Sequence, residues 1–349
     1  MAGSVLVTGG TGYVAGWCIA ELLGRGYDVR ATVRDASRGD RVRRAVATVS
    51  DRVDHLEFAV ADLTADDGWK EAMDGCDHVL HVASPLGVDA AGAKDAGAKD
   101  EVQALLVPAR DGTVRVLRAA AAAGVRRVVM TSAANTASPP SYGDDGVTDE
   151  TLWTDLDAPK LLPYRRSKTA AELAAWEFMD SCEGPMTLAT VLPGAVFGPV
   201  LSADTLGSVQ IIARLLSGAM PGTPRIGLEV VDVRDLADVH LRAMTAPEAA
   251  GQRFLATGEF LWMHDIARIL RDGLGEAATK VPTRKLPDIA VRAAALFDRS
   301  LRDIMPGLGR RNRHSIAKAK RLLDWAPRPA EVSVLDCARS LIDHEVVGK

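Results

Sequence analysis

Ser4-Val5-Leu6-Val7-Thr8-Gly9-Gly10-Thr11-Gly12-Tyr13-Val14-Ala15-Gly16 decides the fold of this 349-residue chain. Ser4–Thr8 is a short apolar run that reads as a buried strand, and glycines follow at once. Ala15, Cys18, Ile19 and Leu22 then recur at helical spacing. Strand, glycine turn and helix is the context a dinucleotide fingerprint needs, and Gly10-x-Gly12-x-x-Ala15 fits its G-x-G-x-x-G/A form. Glycines let the backbone approach a pyrophosphate, whose charge the helix N-terminus then stabilises. Gly9, Thr11, Gly12, Tyr13 and Val14 are therefore the candidate cofactor residues of this loop. The bland alternative is an ordinary glycine turn, against which the strand-to-helix context argues.

The second strand speaks to which nucleotide. Asp28-Val29-Arg30-Ala31-Thr32-Val33-Arg34 alternates and is rich in β-branched residues. It ends about 20 residues past the glycines, where an NAD site offers Asp or Glu to the ribose hydroxyl. Here the residue is Arg34, with Arg38 close behind. A guanidinium suits a 2′-phosphate, so the expected cofactor is NADP(H).

Composition excludes several classes. The net charge of −4 gives no global basic field for nucleic acid. No apolar run reaches the ~18 residues of a membrane span, and residues 1–15 lack the pattern of a secretory signal. The four cysteines are scattered without a C-x-x-C, as expected of reduced thiols in a cytoplasmic protein. His78 and His81 come nearest to metal-ligand spacing, but no third ligand follows, so no metal site is expected.

Strand and helix patterns alternate through the first half. Leu56–Ala61, Asp77–Val82, Arg126–Thr131 and Thr187–Leu192 read as further strands, and Thr113–Ala123 as a helix closed by Gly124. The alternation predicts an α/β fold with a Rossmann-type doubly wound parallel sheet. Ligands of such sheets bind outside the carboxyl ends of the strands, where Asp62, Ala83-Ser84, Thr131-Ser132 and Pro193-Gly194 fall. Residues 1–192, with a return of 229–256, are assigned to this domain; 193–228 and 257–349 are assigned to a smaller C-terminal substrate lobe. Val230–Asp235 reads as a strand leading into a helix near Leu236, and Pro282–Arg313 as irregular. Ser315–Asp324 and Val332–Glu345 read as helices. Ala91-Gly-Ala-Lys-Asp95 recurs as Ala96-Gly-Ala-Lys-Asp100 and reads as a surface-loop insertion, with a lid over the site as the alternative. The basic run from Arg310 to Arg321 reads as a solvated helix edge.

Tyr164-Arg-Arg-Ser-Lys168, behind Pro163, carries the chemistry. Tyr164 and Lys168 are i and i+4, so on a helix both project from one face. A cation beside a phenol favours the phenolate and is expected to lower the tyrosine pKa from about 10. Such a tyrosine can exchange a proton with a carbonyl or alcohol oxygen. Arg165 and Arg166 are expected off that face, in solvent. Trp153 is read as aromatic packing, with shaping of the substrate side as the alternative, and Tyr142 as a loop anchor.

In this order, glycine loop, strand-end arginine, Thr131-Ser132 and the Tyr164/Lys168 pair resemble the extended short-chain dehydrogenase/reductases. The resemblance covers nearly the whole chain and is nearest to the dihydroflavonol-reductase-like branch, which includes aldehyde and ketone reductases. Val29–Asp35, His81-Val-Ala-Ser-Pro85, Asp111–Leu117, Tyr164–Lys168 and Val231–Asp238 carry it. It implies that Tyr164 is the general acid and that Lys168 binds the nicotinamide ribose. It places Asp62 and Leu63 at the adenine, and Val82, Ala83 and Ser84 along the ribose and diphosphate. Pro193 to Val196 would meet the carboxamide.

Two departures stand out. Ala15 replaces the family's third glycine. The family's fifth-strand motif reads Thr-Ser-Ser-Ala, whereas this chain reads Thr131-Ser132-Ala133-Ala134, so the usual catalytic serine position holds Ala133. Ser132 through a shifted backbone, Thr131, or the Tyr164/Lys168 pair alone remain; Ser132 is the first choice to polarise the carbonyl. The expected function is NADPH-dependent reduction of a small-molecule aldehyde or ketone. A sugar epimerase or dehydratase on the same fold, and a silent NADP-binding sensor, are the alternatives. The sequence leaves a homodimer open.

Overall fold

A computed structural model describes residues 3–85, 98–139, 146–159, 161–204, 207–297 and 304–347. The first half runs β1 (Ser4–Val7), α1 (Tyr13–Gly24), β2 (Asp28–Val33), α2 (Gly39–Ala47), β3 (Leu56–Val60), α3 (Trp69–Met73), β4 (His78–His81), α4 (Ala98–Ala122), β5 (Arg127–Thr131), β6 (Gly146–Thr148) and α5 (Pro163–Ser181). There follow β7 (Thr187–Pro193), β8 (Ala195–Phe197), α6 (Val209–Leu216), β9 (Gly227–Asp232), α7 (Val233–Thr245) and β10 (Gln252–Ala256). The chain closes with β11 (Phe260–Trp262), α8 (Met263–Leu274), α9 (Asp288–Ala294), β12 (Asn312–His314), α10 (Ala317–Leu323) and α11 (Ala330–Asp343).

Seven strands form one parallel sheet in the order β10-β7-β5-β4-β1-β2-β3. The order reverses between β1 and β4, the switch point where doubly wound sheets bind ligands. Both faces are covered, which is why strands such as Val5-Leu6-Val7 are fully buried rather than alternating. One face packs Cys18, Ile19 and Leu22 of α1 with Leu236 and Val239 of α7. The other packs Val116 and Leu117 of α4 with Ala171 and Ala175 of α5. A third apolar cluster joins α6, α8 and α11 in the C-terminal part.

The predicted strands appear within a residue or two. Several expectations do not hold. Helix α4 begins at Ala98, well before the expected Thr113, and carries Pro108 in its interior. The last residues of the tandem repeat, 98–100, therefore belong to a helix, while 91–97 lie outside the described residues, as does Tyr142. Strand β9 starts at Gly227 and pairs with β8 and β11 in a separate sheet. The next helix starts at Val233, where the Asp232 carboxylate caps it by accepting from the Arg234 amide at 2.9 Å. Residues 282–313 are not uniformly irregular, for they hold α9 and begin β12, which pairs with β6. The basic run is split: Arg313 lies in β12, and only Lys318, Lys320 and Arg321 lie on α10.

Candidate active site

The carboxyl ends of the sheet open into a cavity of about 1540 Å³. Its floor is the glycine loop. Gly9 has φ +73°, and a Cβ there would sit 3.0 Å from the Ala83 methyl and 3.1 Å from its Cα. Gly10 donates its amide to the Thr32 carbonyl at 2.8 Å, which ties the loop to β2. Gly12 caps α1 without a side-chain hydrogen bond, leaving the first amides of the helix for a ligand in the cavity. Ala15, the departure from the third glycine, is absorbed in the core at 1% exposure. Tyr13 lines the cavity but its hydroxyl donates to the Gly198 carbonyl at 2.7 Å.

Arg34, Arg38 and Arg41 gather at the end bounded by Asp62 and Leu63. The Asp62 carboxyl is held below the usual carboxylate range by hydrogen bonds from Thr64, with the charge of Arg34 adding to the effect. Val82, Ala83 and Ser84 form the neighbouring wall, and Pro193 and Val196 the next. Every residue expected from sequence to meet the cofactor thus borders one cavity.

Pro163 occupies the first turn of α5, where its missing N–H costs nothing, and this starts the helix one residue before Tyr164. Tyr164 and Lys168 both face the cavity. Tyr164 is 40% exposed, all the more accessible for having no hydrogen-bond partner on its hydroxyl among the described residues. The cavity is nevertheless walled by protein, and desolvation pushes the phenol up to about 12. The expected lowering by Lys168 is not what the surroundings give. Lys168 is itself buried, donates to the Thr131 carbonyl at 3.2 Å, and is pushed down to about 8 by desolvation, against the opposing charge of Glu172. Beneath it, His81 is fully buried between Thr8 and Thr113 and falls to about 3.

The fifth-strand hydroxyls are committed elsewhere. Burial lowers His240 to about 4, so it is neutral. Its Nδ1 donates to the Leu236 carbonyl at 2.7 Å, and its Nε2 accepts from Thr131 Oγ1 at 2.7 Å. Ser132 borders the cavity with 1% exposure, but its hydroxyl donates to the Glu172 carboxylate at 2.6 Å. The expected carbonyl-polarising serine therefore points under α5 rather than at a substrate. Ala133 and Asn135 face the cavity.

Arg165 also departs from expectation. It is buried, and it donates to the carbonyls of Asn135 at 2.9 Å and Pro139 at 2.9 Å and to Thr154 Oγ1 at 2.8 Å. Arg166 donates to the Leu156 carbonyl. Both are covered because the 135–139 and 154–156 segments pack on the first turn of α5. Sequence reading missed the far wall as well, where Glu229, Arg310, Asn312 and His314 border the cavity. His314 is fixed there by Glu229 and by Ser138 at 2.9 Å. No local motif marks these residues, since two segments about eighty residues apart, around Glu229 and 310–314, bring them together.

A glycine loop at the switch point of a parallel sheet, open to the same cavity as a tyrosine–lysine pair, defines a dinucleotide-site α/β protein. The chain belongs to the NAD dependent epimerase/dehydratase family, the extended short-chain dehydrogenase/reductases, whose model matches residues 5–256. It is 35% identical to cinnamoyl-CoA reductase 1 of Oryza sativa subsp. japonica over 272 residues, 77% of this chain and 75% of the relative. It is 32% identical to a ketoreductase of Aspergillus niger over 319 residues, 86% of this chain and 91% of that one. Among solved structures it is similar to Gre2 of Candida albicans in complex with NADPH, with a TM-score of 0.78 and 25% identity over 98% of this chain and 99% of the other. Among the described residues no helix is long and apolar enough to cross a membrane.

Proposed function

We propose that the protein is an NADPH-dependent reductase that converts an aldehyde or ketone to an alcohol. The observation that carries this reading is the unengaged Tyr164 hydroxyl on the same cavity as the glycine loop. The reductase names of its relatives support it. The residues fit the cofactor: a loop where a Cβ would collide, an uncapped helix N-terminus for the diphosphate, and Arg34 and Arg38 for a 2′-phosphate. Lys168 would hold the nicotinamide ribose. Bound there, the dihydronicotinamide supplies the hydride.

The residues of the chain do the rest. A phenol pushed up to about 12 is protonated at neutral pH, which is the state a general acid needs. As the carbonyl carbon accepts the hydride, its oxygen takes the Tyr164 proton. The Lys168 charge, one helical turn away, stabilises the phenolate left behind. The substrate is a small molecule, and four free thiols accord with a cytoplasmic setting.

The test is NADPH oxidation, followed at 340 nm, across small aldehydes, ketones and cinnamoyl-CoA, with a nucleotide sugar as the counter-substrate. Turnover of a carbonyl is the expected result. Turnover of the nucleotide sugar alone, or NADPH binding with no turnover, would overturn the reading. Arg34→Asp is expected to weaken NADPH binding by about 10- to 100-fold more than NADH binding, the worth of a charged hydrogen bond. Equal losses with both nucleotides would remove the 2′-phosphate assignment.

A further inference from the structure

The cavity is left without the hydroxyl that usually faces a carbonyl beside a tyrosine acid. Thr131 is spent on His240 and Ser132 on Glu172, and Ala133 has no donor. Residues 134–137 form a 3-10 turn, so side chains three apart point the same way and neighbours diverge. Thr136 is fully buried and donates to Glu172 at 2.6 Å. Asn135, by contrast, borders the cavity. Among the described residues its carboxamide has no hydrogen-bond partner. Its backbone, in contrast, is clamped: the Asn135 carbonyl accepts from Arg165 Nε at 2.9 Å and from Thr154 Oγ1 at 2.6 Å. Arg165 follows Tyr164 directly on α5. The clamp thus holds the Asn135 backbone against the first turn of α5, the turn that carries the proposed acid.

We propose that Asn135 is a further catalytic residue, whose side-chain N–H donates a hydrogen bond to the substrate carbonyl oxygen in place of the missing serine. No bond is made or broken at Asn135. The amide stabilises negative charge as the hydride reaches the carbonyl carbon, until the Tyr164 proton arrives. An amide donor suits the task, because it stays neutral at every working pH and its backbone is already anchored. The inference rests on the reductase reading, and it explains how that reading survives Ala133.

The experiment is steady-state reduction with NADPH, using isovaleraldehyde and the best carbonyl of the panel as probes. Asn135→Ala and Asn135→Asp are expected to lower kcat by about 100-fold or more, the usual worth of one oxyanion donor. NADPH affinity and Tm should stay close to those of the parent. Adding Ala133→Ser to Asn135→Ala should restore about 10-fold of the loss, since a hydroxyl would return to the same wall. A parent-like kcat in both single variants, with Tyr164→Phe inactive, would overturn the role of Asn135 and leave the reductase reading intact. A loss matched by weakened NADPH binding or a lower Tm, with no rescue by Ala133→Ser, would make Asn135 structural. An inactive parent would count against the reductase reading itself.

Discussion

Tyr164 and Glu172 lie two turns apart on α5, with Lys168 between them, and their surroundings are opposite. The Tyr164 hydroxyl has no partner among the described residues, and Lys168 donates to the Thr131 carbonyl at 3.2 Å. Glu172, fully buried, accepts from Ser132 at 2.6 Å, Thr136 at 2.6 Å, Thr190 at 2.8 Å and Arg253 at 2.8 Å. Arg253 in turn donates to the Glu150 carbonyl at 2.6 Å and lies 3.5 Å over the Trp153 ring. One stripe of the helix therefore bolts β5, β7 and β10 together at Glu172 and offers reactive groups to the cavity at its N-terminal end. A buried carboxylate is tolerable only when its oxygens are saturated, whereas a proton donor works only if its hydroxyl is left open.

Substitutions at the two ends should separate the functions. Tyr164→Phe is expected to lower kcat by about 10²- to 10⁴-fold, the range of a lost general acid, with Tm unchanged because no described bond is lost. A lower Tm would show that the hydroxyl has a structural partner. Glu172→Gln should do the reverse and cost about 3–5 kcal/mol of stability, as breaking a buried ion pair does, read by denaturant unfolding. It also sharpens the comparison through pH. The Glu172 charge opposes the depression of Lys168, so its loss should move the lysine further below about 8. Reduction needs the lysine charged, so kcat falls as pH rises through that pKa, and the fall should begin at lower pH in Glu172→Gln. An unmoved alkaline limb would uncouple the two turns. For stability the sign is opposite: a folded pKa below the ordinary 10.5 makes the burial penalty full below about pH 8 and relieves it as pH climbs further.

The sequence was most legible where pattern is local. The run from Ser4 to Gly16 needs only a strand, a turn and a helical period, and each lies where the pattern puts it. Arg34 was legible for the same reason, as the end of an alternating strand at a fixed distance from the glycines. Helix α4 is longer than the Thr113–Ala123 pattern shows, and it runs through Pro108. Arg165 was not legible because exposure on a helix depends on what packs there, and the covering segments, the short 3-10 turn and its exit at 135–139 and the loop at 154, carry no sequence period. The far wall at Glu229, Asn312 and His314 needs pairing of β6 with β12 across more than 160 residues, which no window of sequence reveals.

Ser132 is different, because the signal was present. Side chains at the end of a strand still alternate between faces. Thr131 points to α7 on one face of the sheet and Ser132 to α5 on the other. A serine one place early therefore cannot do the work of the residue at 133 without a backbone shift, and the Ser132 amide is held in register by the Val191 carbonyl at 2.8 Å. Ser132→Ala should then behave as a weak version of Glu172→Gln rather than of Tyr164→Phe. It removes one of four donors from the carboxylate, a loss of about 1–2 kcal/mol for a hydrogen bond to a charged group. The measurement is paired: unfolding free energy should fall by that amount while kcat stays near the parent value. A tens-fold loss of kcat at unchanged stability would place the Ser132 hydroxyl back among the reactive groups and erase the contrast between Tyr164 and Glu172.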